Sequence, residues 1–91
     1  MANGTISILR TMKYIGDNPT GFNINDVDNP SGWGWMNYGQ VSGDFPNNVG
    51  YGILVILRCD NNNIVQLYVN DQYLCYRQNA GSWSSWRRIT V

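Results

Sequence analysis

The second half of the chain alternates apolar segments with short polar ones. Its four apolar segments are YGILVILRC (51–59), IVQLYV (64–69), YLCYRQ (73–78) and WSSWRRITV (83–91). The polar segments between them, DNNN, NDQ and NAGS, supply the residue types that tight turns need. Because short turns force consecutive strands to pair, this pattern predicts a four-stranded antiparallel meander. Segment 51–59 is apolar at nearly every position, which predicts a strand covered on both faces.

The first half is less regular. Alternation in residues 5–15 favours a half-buried strand, with one face formed by Ile6, Ile8, Met12 and Tyr14. A helix stays open as an alternative, because Ile8, Met12 and Ile15 also follow the helical spacing. Residues 16–35 are dense in Gly, Pro, Asn and Asp, which predicts turns and at most one helical turn over 26–29 before Pro30. The stretch that begins GWGWMNYG at residue 32 predicts another strand.

The amino-acid composition excludes several classes of function and favours one class of fold. The 91 residues include six basic and six acidic ones, so the net charge is zero, which argues against binding to nucleic acid. No apolar run is long enough for membrane insertion or a secretory signal. Thirteen residues are asparagine, whereas glutamate and histidine are absent. This bias favours β-structure with many turns over helices.

The residues for catalysis are also missing. General acid–base chemistry usually uses His or Glu, and the serines have no histidine to activate them, so we expect no enzyme activity. Asp26 and Asp28 are the one close acidic pair, and capping or turn hydrogen bonds are their expected use. We expect no metal and no cofactor. Cys59 and Cys75 lie in strand-like segments and are expected to be buried or half-buried free thiols, with a disulfide as the alternative.

The tail SWSSWRR poses a choice between a ligand platform and a structural role. On a regular strand the side chains of Trp83 and Trp86 point to opposite faces, so the two rings cannot form one flat platform unless Ser84 and Ser85 form a bulge or turn. The favoured interpretation is that the rings fill the core and an interface. Arginines such as Arg77 are expected to pack over aromatic rings and pair with aspartates.

The segment LYVNDQYLCYRQNAGSWSSWRRI, preceded by GILVILR and by NINDVDNPSGWGW, resembles the pyocin-knob type of domain of bacteriophage tail fibres and R-type pyocins. The similarity covers roughly residues 22–90, and its most distinctive part is the final Trp-Ser-x-Trp-Arg. The matching residues are Asn25, Asp26, Gly32, Trp33, Pro46, Leu54, Ile56, Gln66, Tyr76, Arg77, Trp83, Ser84, Trp86 and Arg87.

The resemblance implies a mainly β fold: a small antiparallel sheet or sandwich knob domain over residues 21–91, preceded by a strand or linker over 1–20. It also implies a homo-oligomer, commonly a trimer, made in the bacterial host cytoplasm and carried on a virion tail fibre or surface projection beside other virion proteins. Tyr76, Arg77, Trp83, Trp86 and Arg87 are then structural motif residues. The usual task of such domains is attachment to a bacterial surface, often through a saccharide.

Saccharide binding needs exposed rings that stack on sugar faces and amides that bond hydroxyl groups. The irregular middle region is the expected place, because loops on a rigid sheet are free to carry function. The candidate ligand-binding residues are Trp33, Trp35, Tyr38, Asn47, Asn48 and Tyr51. For Trp33 and Trp35 the alternative is a place in the core or in a subunit contact. The alternatives are a phage assembly or decoration protein without a ligand, a bacterial carbohydrate-binding module and, as the least favoured, a small glycosidase that would use Asp26 or Asp28.

Overall fold

A computed structural model describes residues 12–60 and 62–90, and in this part of the chain every regular element is a β-strand. All six strands lie in one sheet in chain order, with β1 parallel to β2 and every other neighbouring pair antiparallel. The strands are β1 (Lys13–Asp17), β2 (Gly32–Asn37), β3 (Tyr51–Asp60), β4 (Asn63–Val69), β5 (Tyr73–Asn79) and β6 (Arg87–Thr90). The molecule is therefore a small all-β domain.

One face of the sheet forms the core. Burial alternates along β2, β4 and β5, as expected for a pleated strand with one covered side. The loops 18–31 and 38–50 cover this side and contribute Ile24, Val41 and Phe45. The strands contribute Met36, Leu54, Ile56, Ile64, Tyr68, Tyr73 and Cys75. The core therefore lies between a regular sheet and a layer of irregular loops.

Asparagine and aspartate side chains stabilise the turns, which accounts for part of the composition. The Oδ1 atoms of Asn23 and Asp26 each accept the backbone N–H two residues further along, at 2.8 and 2.9 Å. Asp60, Asn70 and Asn79 do the same at the three hairpins of the meander. Such local bonds offer the backbone an alternative to the sheet ladder, so the strands end there.

Strand β1 packs closely against two glycines of β2. A Cβ atom on Gly34 would come within 2.7 Å of the carbonyl oxygen of Gly16 and 3.2 Å of the Ile15 Cβ. We expect Gly34→Ala to push β1 away and to lower the free energy of unfolding by about 1–3 kcal/mol, the usual effect of overpacking. Urea unfolding measures this change in the free energy of unfolding. Gly50→Ala is the matched control, because a Cβ there meets nothing within 4 Å; equal midpoints for the two variants would contradict the tight contact.

The sequence predictions for the fold are largely confirmed. The fold is mainly β, the meander of β3 to β6 is present, and β2 begins at Gly32 as expected. Most of the strand predicted over residues 5–15 lies outside the described residues, although β1 overlaps its end. The domain boundary at residue 20 stays a prediction, but β1 pairs with β2 in the same sheet. No described helix is long and apolar enough to cross a membrane.

Three expectations are wrong in detail. The last strand begins only at Arg87, because Ser84 forms hydrogen bonds with Gln78 that hold residues 84–86 outside the sheet ladder. Cys59 is exposed, whereas Cys75 is buried, and both thiols are free. β3 is covered on one face alone, since Ile53 and Leu57 are 39% and 36% exposed.

Candidate functional site

The most connected side chain on the loop-covered face is Arg77 of β5, which is buried at 2% exposure. Its Nε donates to the Oε1 atom of Gln66 at 2.8 Å, and its Nη2 donates to the Oδ1 atom of Asn25 at 2.8 Å. Gln66 is also buried and donates to the carbonyl of Ile24 at 2.6 Å. The buried arginine thus links β4 and β5 to the loop that covers them.

Trp83 and Trp86 both pack on this guanidinium. Its central carbon lies 4.0 Å from the ring centre of Trp83 and 4.7 Å from that of Trp86. Residues 84–86 are not in a strand, so the regular strand that would separate the two rings is absent, and the alternative of a turn at Ser84 and Ser85 holds. Each indole N–H also donates to a loop carbonyl, Trp83 to Asn25 at 3.0 Å and Trp86 to Asp44 at 2.6 Å. We call Arg77, Trp83 and Trp86 the arginine clamp.

Electrostatics agree with a structural role for the clamp. Burial lowers the pKa of Arg77 to about 10, and the carboxylate of Asp44 opposes the shift from 3.9 Å. The guanidinium therefore stays charged at neutral pH, and its hydrogen bonds and the two ring faces compensate for lost water. Of the motif residues carried by the resemblance, Tyr76 and Arg87 lie outside this cluster on exposed positions.

The loop that Trp86 anchors, residues 44–48, borders two open cavities that we call the loop clefts. The first, about 450 Å³, lies between this loop and residues 85–88. The second, about 620 Å³, lies between the loop and Tyr38, Gly43 and Val49. Arg88 fixes the loop from β6, because its Nη2 donates to the carbonyls of Asn47 at 2.9 Å and Asn48 at 3.1 Å.

The chemistry of the clefts is amide, carboxylate and aromatic. Asn47 and Asn48 are exposed, and the side chain of Asp44 is 76% exposed. Tyr38 is 60% exposed and packs edge-on against Phe45 at 6.0 Å between ring centres. Asn48 has φ 58°, a left-handed conformation that asparagine tolerates. These groups suit hydroxyl-rich ligands that also carry an apolar face.

The six candidate ligand-binding residues fall into two groups on opposite faces of the sheet. Tyr38, Asn47 and Asn48 line the second loop cleft. Trp33, Trp35 and Tyr51 point away from the core, and the rings of Trp35 and Tyr51 stack at 4.9 Å. These three rings belong to a broad apolar surface rather than to a cleft.

Sequence reasoning did not place Asp44, Trp86 and Arg88 at a ligand site, although all three line the first cleft. They lie about 40 residues apart along the chain and meet only because β6 returns beside the loop, for which the sequence carries no local signal. Among residues 12–60 and 62–90, no three His, Cys, Asp or Glu side chains gather where they could hold a metal ion.

Comparisons of this chain with protein-family models, with curated proteins and with solved structures find no match.

Proposed function

We propose that this chain is a non-enzymatic structural domain of a phage tail fibre or another virion projection, and that its loop clefts contact a saccharide of the bacterial surface. The observation that carries the proposal is the composition of the clefts. Tyr38, whose ring is exposed, lines the same cavity as Asn47 and Asn48, two exposed residues that carry side-chain amides. A ring stacks on the apolar face of a sugar, and amides bond its hydroxyl groups.

The way the loop is held supports a binding role. Arg88 bonds two loop carbonyls, and Trp86 bonds the carbonyl of Asp44, so side chains outside the loop fix its backbone. A loop that is already ordered loses little conformational entropy when a ligand binds. Weak individual sugar contacts can then give useful affinity, above all when several copies bind the same surface.

The carboxylates support binding rather than hydrolysis. The Oδ1 atom of Asp26 accepts the backbone N–H of Asp28, as expected for a turn. The chain has no histidine and no glutamate, which are the usual proton-transfer groups. The proposed domain therefore holds its partner without transforming it.

The remaining parts of the proposal come from the resemblance. The chain would be made in the bacterial cytoplasm, assemble as a homo-oligomer of three copies and contact other virion proteins. An assembly or decoration protein without a ligand is the second candidate function. It is favoured by the broad apolar surface around Trp33 and Trp35, both of which are at least 40% exposed.

Tyr38→Ala tests the proposed site. We expect this variant to weaken binding to the recognised surface polysaccharide about tenfold, because a lost ring stack of about 1.4 kcal/mol changes affinity by that factor. The measurement is calorimetric titration with polysaccharides prepared from a panel of bacterial strains. Val27→Ala is the control, since Val27 is 39% exposed in the loop layer but lines neither loop cleft and lies outside the apolar side of the sheet.

Three results would contradict the proposed site or favour a different function. Equal affinities for the two variants would contradict the cleft as the site. An oligomer that binds none of the polysaccharides would favour the assembly protein. A monomer that binds one of them with micromolar affinity would favour a carbohydrate-binding module.

A further inference from the structure

The face of the sheet opposite the core is apolar at its centre, with polar residues at its margins. Residues that pair across neighbouring strands share a face, so the register defines rows across the sheet. One row runs through Tyr14, Trp33, Val55, Leu67 and Tyr76, and the next through Trp35, Ile53, Val69, Leu74 and Ile89. Leu57 and Tyr51 lie beyond the two rows on the same side of β3. We call these twelve residues the apolar face.

The exposed area of this face is large for a single chain. Eight of its residues are between 36% and 60% exposed, namely Tyr14, Trp33, Trp35, Tyr51, Ile53, Leu57, Tyr76 and Ile89. At about 150–250 Å² for a fully exposed aromatic side chain, the five aromatic residues alone present about 450 Å², and the three aliphatic residues add to this area. The largest apolar patch of a typical monomer is about 300–600 Å². About 800 Å² per partner is the standard size of a stable protein–protein interface.

The chemistry of the face does not suit a saccharide. The residues at the centre of the face are valine, leucine and isoleucine, which offer no hydrogen bonds to sugar hydroxyl groups, and the amides of Asn37 and Gln78 lie at its margins. Desolvating those hydroxyls without compensation would be unfavourable. An apolar surface of matching flatness is the better partner, and sheets pack face to face at about 10 Å in this way.

Two features indicate that the partner is another copy of this chain. Large aromatic rings occupy the β1–β2 side of the face, whereas the β5–β6 side presents Leu74 and Ile89 beside a single ring, Tyr76. Each row also ends in one charge, with Asp17 at the β1 edge beside Trp35 and Arg87 at the β6 edge beside Tyr76. A copy rotated about an axis along the strands brings its β6 edge to the other's β1 edge. The rings of β1 and β2 then lie over β5 and β6, and Asp17 and Arg87 come to the same edge one row apart.

We propose that the apolar face is the surface through which copies of this chain pack on one another, with Arg87 of one copy beside Asp17 of the next. The inference rests on the homo-oligomer of the proposed function and names its surface. The edge pairing is the same in a pair of stacked sheets and in a ring of three. It also explains why β3, predicted to be covered on both faces, has one face open in the single chain.

The eleven residues that precede Met12 are the main rival occupant. A single segment of that length has roughly the area of one strand, while five strand spacings of about 4.8 Å make the face about 24 Å wide. Such a segment would leave most of the face uncovered. The double variant Ile6→Asp, Ile8→Asp of the 91-residue chain distinguishes a second copy from this segment. Only a segment packed on the apolar face would need these two apolar side chains.

Ile53→Asp in the full-length chain tests the proposal by sedimentation equilibrium between about 1 and 100 μM. A carboxylate at the centre of the face would be buried without a partner, so we expect the dissociation constant to rise at least a hundredfold. Val27→Asp is the matched control, since Val27 is also 39% exposed but lies in the loop layer. Far-ultraviolet circular dichroism checks that both variants stay folded.

Charge reversal gives a second test that does not depend on the folding of Ile53→Asp. Asp17→Arg and Arg87→Asp should each weaken association, and the double variant should restore it at least tenfold relative to either. Wild-type protein that stays monomeric at 100 μM overturns the proposal, as does an oligomer unaffected by Ile53→Asp and by both reversals. Loss of the oligomer in the Ile6→Asp, Ile8→Asp variant would also overturn the proposal. Polysaccharide titration of the monomeric variant then tests the clefts separately, so the two proposals can fail independently.

Discussion

Replacing Arg77 with alanine is expected to lower the free energy of unfolding by about 3–5 kcal/mol, the range found when one partner of a buried charged network is removed. The change removes the donor to the buried Gln66 and the cation between Trp83 and Trp86. It also leaves a cavity where the largest fully buried side chain stood. Because small domains have about 5–15 kcal/mol of stability in total, much of it would be lost.

Two further variants isolate the cause, with urea unfolding followed by tryptophan fluorescence. Lys13→Ala, which removes an exposed cation of β1 outside the clamp, the loop clefts and the apolar face, should stay within about 0.5 kcal/mol of wild type. Arg77→Lys keeps the charge but not the planar group that bonds and stacks at once, so it should recover little of the loss. If lysine restored the full stability, the positive charge alone would be sufficient, and the requirement for the planar guanidinium of Arg77 would be contradicted.

Stability at alkaline pH is expected to fall because of Tyr68. This side chain is fully buried, and its hydroxyl lies 2.6 Å from the carbonyl of Gly50, to which it donates. Burial, followed by the neighbouring Tyr73 and Cys75, raises the pKa of Tyr68 well above its usual value of 10. Below pH 10 both the folded and unfolded chains hold the proton, so its contribution to stability is fully present.

Above pH 10 the unfolded chain releases this proton while the folded chain keeps it. Unfolding then becomes more favourable by up to about 1.4 kcal/mol for each further pH unit. Arg77 acts in the opposite sense, because burial lowers its pKa to about 10 and the folded chain releases its proton first. Comparing tyrosine variants that all retain Arg77 removes this contribution from the difference.

Tyr68→Phe should therefore be less stable than wild type near pH 7, by about 1–2 kcal/mol for the lost hydrogen bond. Its stability should fall less steeply than that of wild type between pH 10 and 11.5. Tyr38→Phe, on an exposed ring, should follow the wild-type curve. Urea midpoints across this pH range provide the measurement, and parallel curves for Tyr68→Phe and wild type would contradict the role of the buried hydroxyl.

Local sequence predicted the meander well, because the signals that define it are local. NDQ places Asn70 where its side chain bonds the N–H of Gln72, and the two flanking strands must then pair. The parallel pairing of β1 with β2 carries no comparable signal, since residues 18–31 separate the strands. The open face of β3 was unpredictable for another reason: an apolar run indicates that a face must be covered, but not whether the same chain covers it.

The site was less accessible to sequence reasoning. Strand alternation placed Trp83 and Trp86 on opposite faces, whereas hydrogen bonds of Ser84 with Gln78 hold the segment out of the sheet ladder. The abundance of aromatic and amide residues pointed to the right residue types. It could not assign Tyr38 and Trp35 to different faces. Three residues separate them, which would place their side chains on opposite faces of a continuous strand, but the sequence does not show that β2 ends at Asn37. Their assignment to different faces depends on the tertiary structure.

The most direct test of the central claim follows the tryptophan indole N–H signals of ¹⁵N-labelled protein during titration with bacterial surface polysaccharide. If the loop clefts bind the saccharide, the signal of Trp86, whose N–H bonds the carbonyl of Asp44, should shift together with the side-chain amides of Asn47 and Asn48. Those of Trp33 and Trp35 should stay in place. Shifts confined to Trp33 and Trp35, or none with any polysaccharide of the panel, would contradict the account.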